Sequence, residues 1–185
     1  MDNINYDEIE RSLIKNREVI TYYVENIKME YKHFDKNNKK GIYVFWYYNK
    51  NNKIEELNRK LIIKGTKNVN KEIIWDWNLS DEYICLYVGK TENLKKRISH
   101  HMLLKTENLI NKINDKQLYK KTTTCQLRSG FDYLYSKKNN INIMSEIMEH
   151  IYLSLYYEDD FVKRFFIEDY FIGKLRPWFN VDSER

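Results

Sequence analysis

The sequence predicts an α/β (α+β) fold: a small three-stranded, mainly antiparallel sheet flanked by helices, with an N-terminal helix and insertions. Gly41-Ile42-Tyr43-Val44-Phe45-Trp46-Tyr47 and Tyr83-Ile84-Cys85-Leu86-Tyr87-Val88 are β-branched and aromatic runs that read as the two strands of a hairpin. Ile151-Tyr152-Leu153-Ser154-Leu155-Tyr156-Tyr157 reads as a third strand, and apolar residues at helical spacing fill the stretches around these runs. With 42% hydrophobic content, one Pro and 5 Gly in 185 residues, the chain can bury one core, and no Pro/Gly/Ser-rich linker divides it. A single domain spanning 1–185 is expected.

Residues 6–34 place Ile9, Leu13, Ile20, Val24, Ile27 and Tyr31 at helical intervals, which predicts a helix packed on the core before a polar turn at Asp35–Lys40. Residues 1–40 are therefore expected to be an N-terminal helical extension. Between the first two strands lies a long insertion, 49–80, with 7 basic and 4 acidic residues. Its alternation at Ile73, Ile74, Trp75, Asp76 and Trp77 suits an added strand, with the tryptophans either on a packed face or on a DNA-contacting surface. After Tyr87-Val88 the chain is expected to turn at Gly89, with Lys90 in the turn itself, where an ammonium and helix-start N–H groups can meet an anion. A helix then follows from Asn93, with Thr91 or Asn93 as N-cap and Leu94, Ile98 and His101-Met102 at helical spacing. Arg97 and His101 are four residues apart and share one face of it, whereas His100 points about 100° away. From Lys105 to Glu149 the apolar positions Leu109, Ile113, Leu118, Ile143 and Ile147 predict one or more helices. Asp159-Asp160 can cap a last helix that runs through Phe161, Phe165, Glu168, Phe171 and Leu175 to a stop at Pro177. Glu168 lies in its middle between aromatic residues, where a carboxylate needs a partner or a metal. Asn180 follows in Pro177-Trp178-Phe179-Asn180.

The formal net charge is +5, unevenly spread. Residues 90–138 hold 12 Lys/Arg against 4 Asp/Glu, while residues 145–185 hold 5 against 9, so the middle of the chain is the candidate face for a polyanion. Cys85 and Cys125 show neither metal-ligand spacing nor a disulfide framework, which suits a reducing compartment. The polar start Met1-Asp2-Asn3-Ile4-Asn5 and the lack of a long apolar span predict no membrane association and a cytoplasmic location.

Taken in order, Gly41-Ile42-Tyr43, Tyr87-Val88-Gly89, Arg97 ten residues after Tyr87, His101, and then Glu168 with Asn180 resemble the signature of the GIY-YIG nucleases. Tyr87-Val88-Gly89-Lys90 with Leu94-Lys95-Lys96-Arg97, and the spacing from Glu168 to Asn180, are similar to the GIY-YIG nuclease half found in bacterial excinucleases. The Arg97 and His101 pair is also similar to that of the family's small restriction endonucleases. The resemblance implies the GIY-YIG fold, hydrolysis of phosphodiester bonds in double-stranded DNA, and Mg²⁺ (or Mn²⁺) as cofactor. Homing members carry a long DNA-binding tail and structure-specific repair members usually an extra domain, so the size of this chain points to a restriction-type endonuclease. A structure-specific nuclease of repair, recombination or mobile-element maintenance, and a catalytically silent DNA-binding module, are the alternatives. A palindromic target would call for a homodimer whose symmetry mirrors the site.

The site residues carried over are Tyr43, Tyr87, Lys90, Arg97, His101, Glu168 and Asn180. Attack of water on a phosphodiester needs a base, stabilisation of the charge that develops, and help for the leaving oxygen. The resemblance makes Tyr43 the base, assisted by Tyr87, Lys90 and His101, though a phenol with a pKa near ~10 needs neighbouring cations to ionise at neutral pH. It gives Arg97 the scissile phosphate, Glu168 the metal, and Asn180 an ordering hydrogen bond. Tyr43, Lys90 and His101 all stay open as the group that moves the proton.

Overall fold

The computed structural model describes residues 4–23, 28–30, 39–64, 70–102, 126–136 and 143–180. Helix α1 (Tyr6–Lys15) opens them, capped by Asn5, whose side chain accepts from Glu8 N–H at 3.2 Å. Ile9 and Leu13 form its buried stripe. The helix stops at Lys15, which corrects the expectation of one running to residue 34. Beyond it Val19-Ile20-Thr21-Tyr22-Tyr23 is a β-branched and aromatic run, and spacings such as Ile20 to Val24 fit a two-residue period as well as a helical one. The chain extends there instead into β1 (Glu18–Val19), β2 (Thr21–Tyr23) and β3 (Lys28–Glu30). Strands β2 and β3 form their own antiparallel pair. Val24, Ile27 and Tyr31 lie outside the described residues.

Strands β4 (Gly41–Tyr48), β7 (Tyr83–Thr91) and β8 (Ile151–Tyr157) form the expected antiparallel core of the main sheet. The sheet has four strands rather than three, because β1 adds to the outer edge of β8 and gives the order β1-β8-β4-β7. Strand β4 is central, and residues 41–47 are buried on both faces. Its alternation splits the core. Ile42, Val44 and Trp46 pack with Ile9 and Leu13 of α1 and with Ile167 and Phe171 of α5 (Phe161–Leu175). Tyr43, Phe45 and Tyr47 face the opposite way, into a cluster with residues of α2 (Leu94–Met102), α3 (Gln126–Leu134) and α4 (Ile143–His150).

Two features of β7 depart from the sequence reading. The register shifts between Phe45 and Trp46: Phe45 faces Tyr87 and Trp46 faces Cys85, which leaves Leu86 as the extra residue of a β-bulge. Gly89 and Lys90 are then strand residues paired with Tyr43 and Ile42, not a turn. The turn comes later, at Glu92-Asn93, where Asn93 Oδ1 accepts from Lys96 N–H at 2.9 Å and so caps α2, while Thr91 Oγ1 accepts from Asn93 N–H. Helix α5 begins where expected, with Asp160 Oδ1 accepting from Lys163 N–H at 2.8 Å. It ends at Arg176 in the left-handed region, φ 48°, just before Pro177.

The insertion holds more than one added strand. A 3-10 segment (Lys50–Glu56) leads into β5 (Lys60–Lys64) and β6 (Asn70–Ile74), an antiparallel pair separate from the main sheet. Trp75 is fully buried, stacked on Trp178 at 5.7 Å and edge-on to Phe179 at 5.0 Å. Trp77 is half-buried and donates its indole N–H to Arg176 C=O at 2.7 Å, and the Trp178 indole returns a bond to Trp77 C=O. Both tryptophans are thus packing residues that tie the insertion to the chain beyond α5. Leu109, Ile113 and Leu118 lie outside the described residues, while Ile147 is buried as expected. Among the described residues no helix is long and apolar enough to cross a membrane.

Removing the Trp75 side chain leaves a cavity between the insertion and Trp178. Trp75→Ala is expected to destabilise the protein by about 3–5 kcal/mol, measured as a lowered midpoint of chemical denaturation; a change within experimental error would place Trp75 outside the core.

Candidate active site

Six of the seven carried-over side chains, all but Asn180's, lie along the end of β7 in two groups, Tyr43, Tyr87, Arg97 and His101 from β4, β7 and α2, and Lys90 with Glu168 from β7 and α5. Tyr43 points from β4 into the helical face and is 1% exposed. Its ring lies over Gly89: a Cβ at that position would meet Tyr43 Oη at 2.4 Å and Tyr87 Cε1 at 2.9 Å. Glycine is required here for close approach of the ring, not for a turn. The bulge brings Tyr87 to the same face, its ring stacked on Tyr43 at 6.0 Å.

Helix α2 buries Leu94 and Ile98 and brings Arg97 and His101 to this pair of phenols. His101 Nε2 lies 2.9 Å from Tyr43 Oη, and Arg97 Nε donates to the same oxygen at 3.3 Å. A guanidinium can only donate, so the Tyr43 oxygen accepts from Arg97, and the direction of its bond with His101 Nε2 follows the histidine tautomer. His101 is wholly buried beneath Tyr43, Phe45 and Tyr87, with ring centroids 5.5–6.1 Å away. It is His101, not His100, that joins Arg97.

Burial pushes the Tyr43 phenol well above the usual tyrosine range and Tyr87 adds to the shift, while the Arg97 guanidinium pulls it back. Tyr87 is raised by burial in the same way, and Arg97 again opposes the shift. This half of the site therefore holds neutral phenols against the Arg97 charge.

Glu168 and Lys90 form the second half of the site. Glu168 rises from α5, on the other face of the sheet, to the outer edge of β7. Its Oε1 accepts from Lys90 backbone N–H at 3.0 Å, and its Oε2 is paired with the Lys90 ammonium. The ammonium also lies 5.0 Å from the centre of the Phe165 ring, a contact that sequence spacing does not foretell. Lys90 is thus paired with the carboxylate, while Arg97 is a cation within hydrogen-bond reach of the Tyr43 oxygen. Asn180 is a clamp: its Oδ1 accepts from Val88 N–H at 2.9 Å and its Nδ2 donates to Val88 C=O at 2.8 Å.

Sequence reasoning also missed Arg164, which is 1% exposed, donates to Glu158 and Asp159 C=O at 2.8 and 2.7 Å, and pairs with Glu92. Lys40 meets Glu92 at 3.0 Å, so the β8–α5 turn, the start of β4 and the turn before α2 are joined. An arginine inside an apolar helix run was the available signal. Most of the basic stretch expected to face DNA falls at 103–125 and 137–142, outside the described residues.

Among the described residues no three His, Cys, Asp or Glu side chains converge as a metal cage. Among the described residues of the site Glu168 supplies the carboxylate, and the ammonium on its Oε2 already occupies a cation's place. That donor chemistry fits Mg²⁺, which keeps several waters and takes one or two carboxylates. Comparison with protein-family models, with curated proteins and with solved structures found no match.

The buried phenols give stability a definite pH dependence. Tyr43, Tyr87 and Tyr135 are all raised by burial, so the unfolded chain, with tyrosines near ~10, releases these protons first as pH rises. Their contribution is complete below pH ~10 and is lost as pH climbs through the raised folded values. The melting temperature is expected to hold level from neutral pH to about 9 and then fall, less steeply in Tyr135→Phe. An equal slope in the variant would show that Tyr135 titrates as it does in the unfolded chain.

Proposed function

We propose that the protein is a divalent-metal-dependent DNA endonuclease of the GIY-YIG type. The observation that carries this reading is the hydrogen-bonded set of Tyr43, His101 and Arg97, with the Glu168–Lys90 pair across the same strand end. Segments far apart in the chain supply them, in the order of the resemblance.

The chemistry follows from that set. As the new P–O bond forms and an ester P–O bond breaks, the attacking water gives up a proton. Tyr43 receives it as phenolate, having first passed its own proton across 2.9 Å to His101 Nε2. Burial makes this phenolate scarce and strongly basic, and Arg97 stabilises it. With five N–H donors, Arg97 can hold the phenols and a phosphate oxygen together. Tyr43 then releases the proton taken from water to solvent as His101 returns its own across the same bond, and the leaving oxygen takes a proton from water. The geometry favours Tyr43 with His101 as the proton-moving pair over Lys90, which is turned to Glu168. Glu168 is the residue to hold Mg²⁺, which when bound supplies positive charge for the developing phosphate charge and the leaving oxygen. Asn180 acts at one remove by fixing the strand between Tyr87 and Gly89.

Supercoiled plasmid incubated with purified protein and Mg²⁺ tests the reading. Nicked or linear product is expected, and its absence with every divalent metal and with both plasmid and branched DNA overturns the proposed activity. Discrete fragments would assign the restriction type, cuts only at branches a structure-specific enzyme, and binding without cuts a silent module. Glu168→Gln is expected to abolish cleavage while leaving DNA binding measured without metal near wild type, and strong Mg²⁺-dependent cutting by it would sink the metal assignment.

Arg97→Lys keeps the charge but loses the planar fork that meets phenol and phosphate together. Cleavage is expected to fall by more than about tenfold, on the scale of a lost oxyanion donor. Turnover near wild type would reduce Arg97 to a charge whose geometry does not matter.

A further inference from the structure

We propose that Lys90 is a built-in counter-ion that holds Glu168 ready for the divalent cation and competes with it, so that metal binding and substrate binding reinforce each other. The inference rests on the reading of Glu168 as metal ligand. Its basis is that one residue takes both carboxylate oxygens: the Lys90 backbone N–H holds Oε1 at 3.0 Å and the Lys90 ammonium holds Oε2.

The two contacts differ in how they can be lost. The backbone contact is fixed by the pairing of β7 with β4 and goes only if the strand end frays. The ammonium sits on a four-carbon stem with freely rotating bonds, and the pair is open to solvent, with side-chain exposures of 25% for Lys90 and 18% for Glu168. A cation arriving at Oε2 therefore meets a carboxylate already oriented through Oε1, but must displace a like charge from it. Lys90 has places to go, since the Phe165 ring lies beside it and a substrate phosphate at the site offers a stronger partner. A phosphate that draws Lys90 away frees Oε2, so DNA raises metal affinity and, by linkage, metal raises DNA affinity by the same factor.

The test measures Mn²⁺ binding without DNA, by the electron paramagnetic resonance signal of the free ion, on the full chain. Lys90→Met keeps the stem and removes the ammonium, and should bind Mn²⁺ more tightly than wild type by at least about fivefold, the lower end of common site couplings. Lys95→Met removes the same charge from an exposed position on α2 and should change little. Lys90→Arg keeps a cation on Glu168 and should show no tightening. A duplex with non-hydrolysable phosphorothioate linkages should tighten Mn²⁺ binding in wild type but not in Lys90→Met. The proposal is overturned if Lys90→Met matches wild type or Lys95→Met while Glu168→Gln still abolishes binding. If Glu168→Gln binds Mn²⁺ as wild type does, the metal assignment itself fails, and this inference with it. Melting curves check that Lys90→Met is folded, and Lys90→Gln serves in its place should it not be.

Discussion

The arrangement depends most on how the outer edge of β7 is closed. An edge strand presents N–H and C=O groups that must find partners or invite another chain. Here the chain beyond α5 supplies them: Trp178 and Phe179 N–H donate to Cys85 and Leu86 C=O at 3.2 and 2.8 Å, and Asn180 takes both backbone groups of Val88. Glu168 completes the row at Lys90 N–H. Each such bond is worth roughly 1 kcal/mol net, but leaving the groups unmet while Trp178 and Phe179 cover them would cost more. The edge therefore recruits two of the site residues, Glu168 and Asn180, for structural reasons before any chemistry is asked of them.

A second constraint acts across the strand. Tyr43 can lie flat over β7 only because residue 89 has no side chain, and Tyr87 can join it only because the bulge at Leu86 turns the following residues over. Gly41 works differently. A Cβ there would lie 2.1 Å from Tyr156 C=O, so this glycine allows close packing of β4 on β8. The two glycines of the signature thus serve backbone approach in one case and ring placement in the other. The result is a phenol with burial set against the Arg97 charge, a balance that a solvent-exposed tyrosine would not have.

Much of this was legible in the sequence, for identifiable reasons. Strands β4 and β8 and helices α2 and α5 announced themselves through runs rich in aromatic and aliphatic residues or well-capped helical periodicity, and all seven side chains of the candidate site could be named from spacing and resemblance. The misses come from signals that local pattern does not carry. The step from Ile20 to Val24 fits two periods at once, and the pairing of Glu18–Val19 with β8 and of β2 with β3 decided for the extended one. A bulge in an apolar run leaves no mark, because every residue of 83–88 suits either face. Gly89 read as a turn because glycine usually means one, while here the reason is a ring from another strand. The partner of Lys90 depended on where α5 crosses, which is a tertiary fact.

The insertion shows how far from the reacting groups the site's precision is set. Its two tryptophans both pack on Trp178, Trp75 stacked and Trp77 edge-on, and Trp178 begins the short segment that ends in Asn180. Asn180 in turn fixes Val88, the residue between the ring-bearing Tyr87 and the ring-admitting Gly89. Adjacent strand residues point to opposite faces, so Gly89 belongs to the phenol and histidine side while Lys90 reaches the carboxylate on the other. A small displacement of this strand end would move both halves at once, the proton-handling pair against Arg97 and the cation-binding carboxylate against its ammonium. The route from the insertion to the site thus runs through backbone held by Asn180, and substitutions at Trp75 or Trp77 act on the site through position before they act through contact.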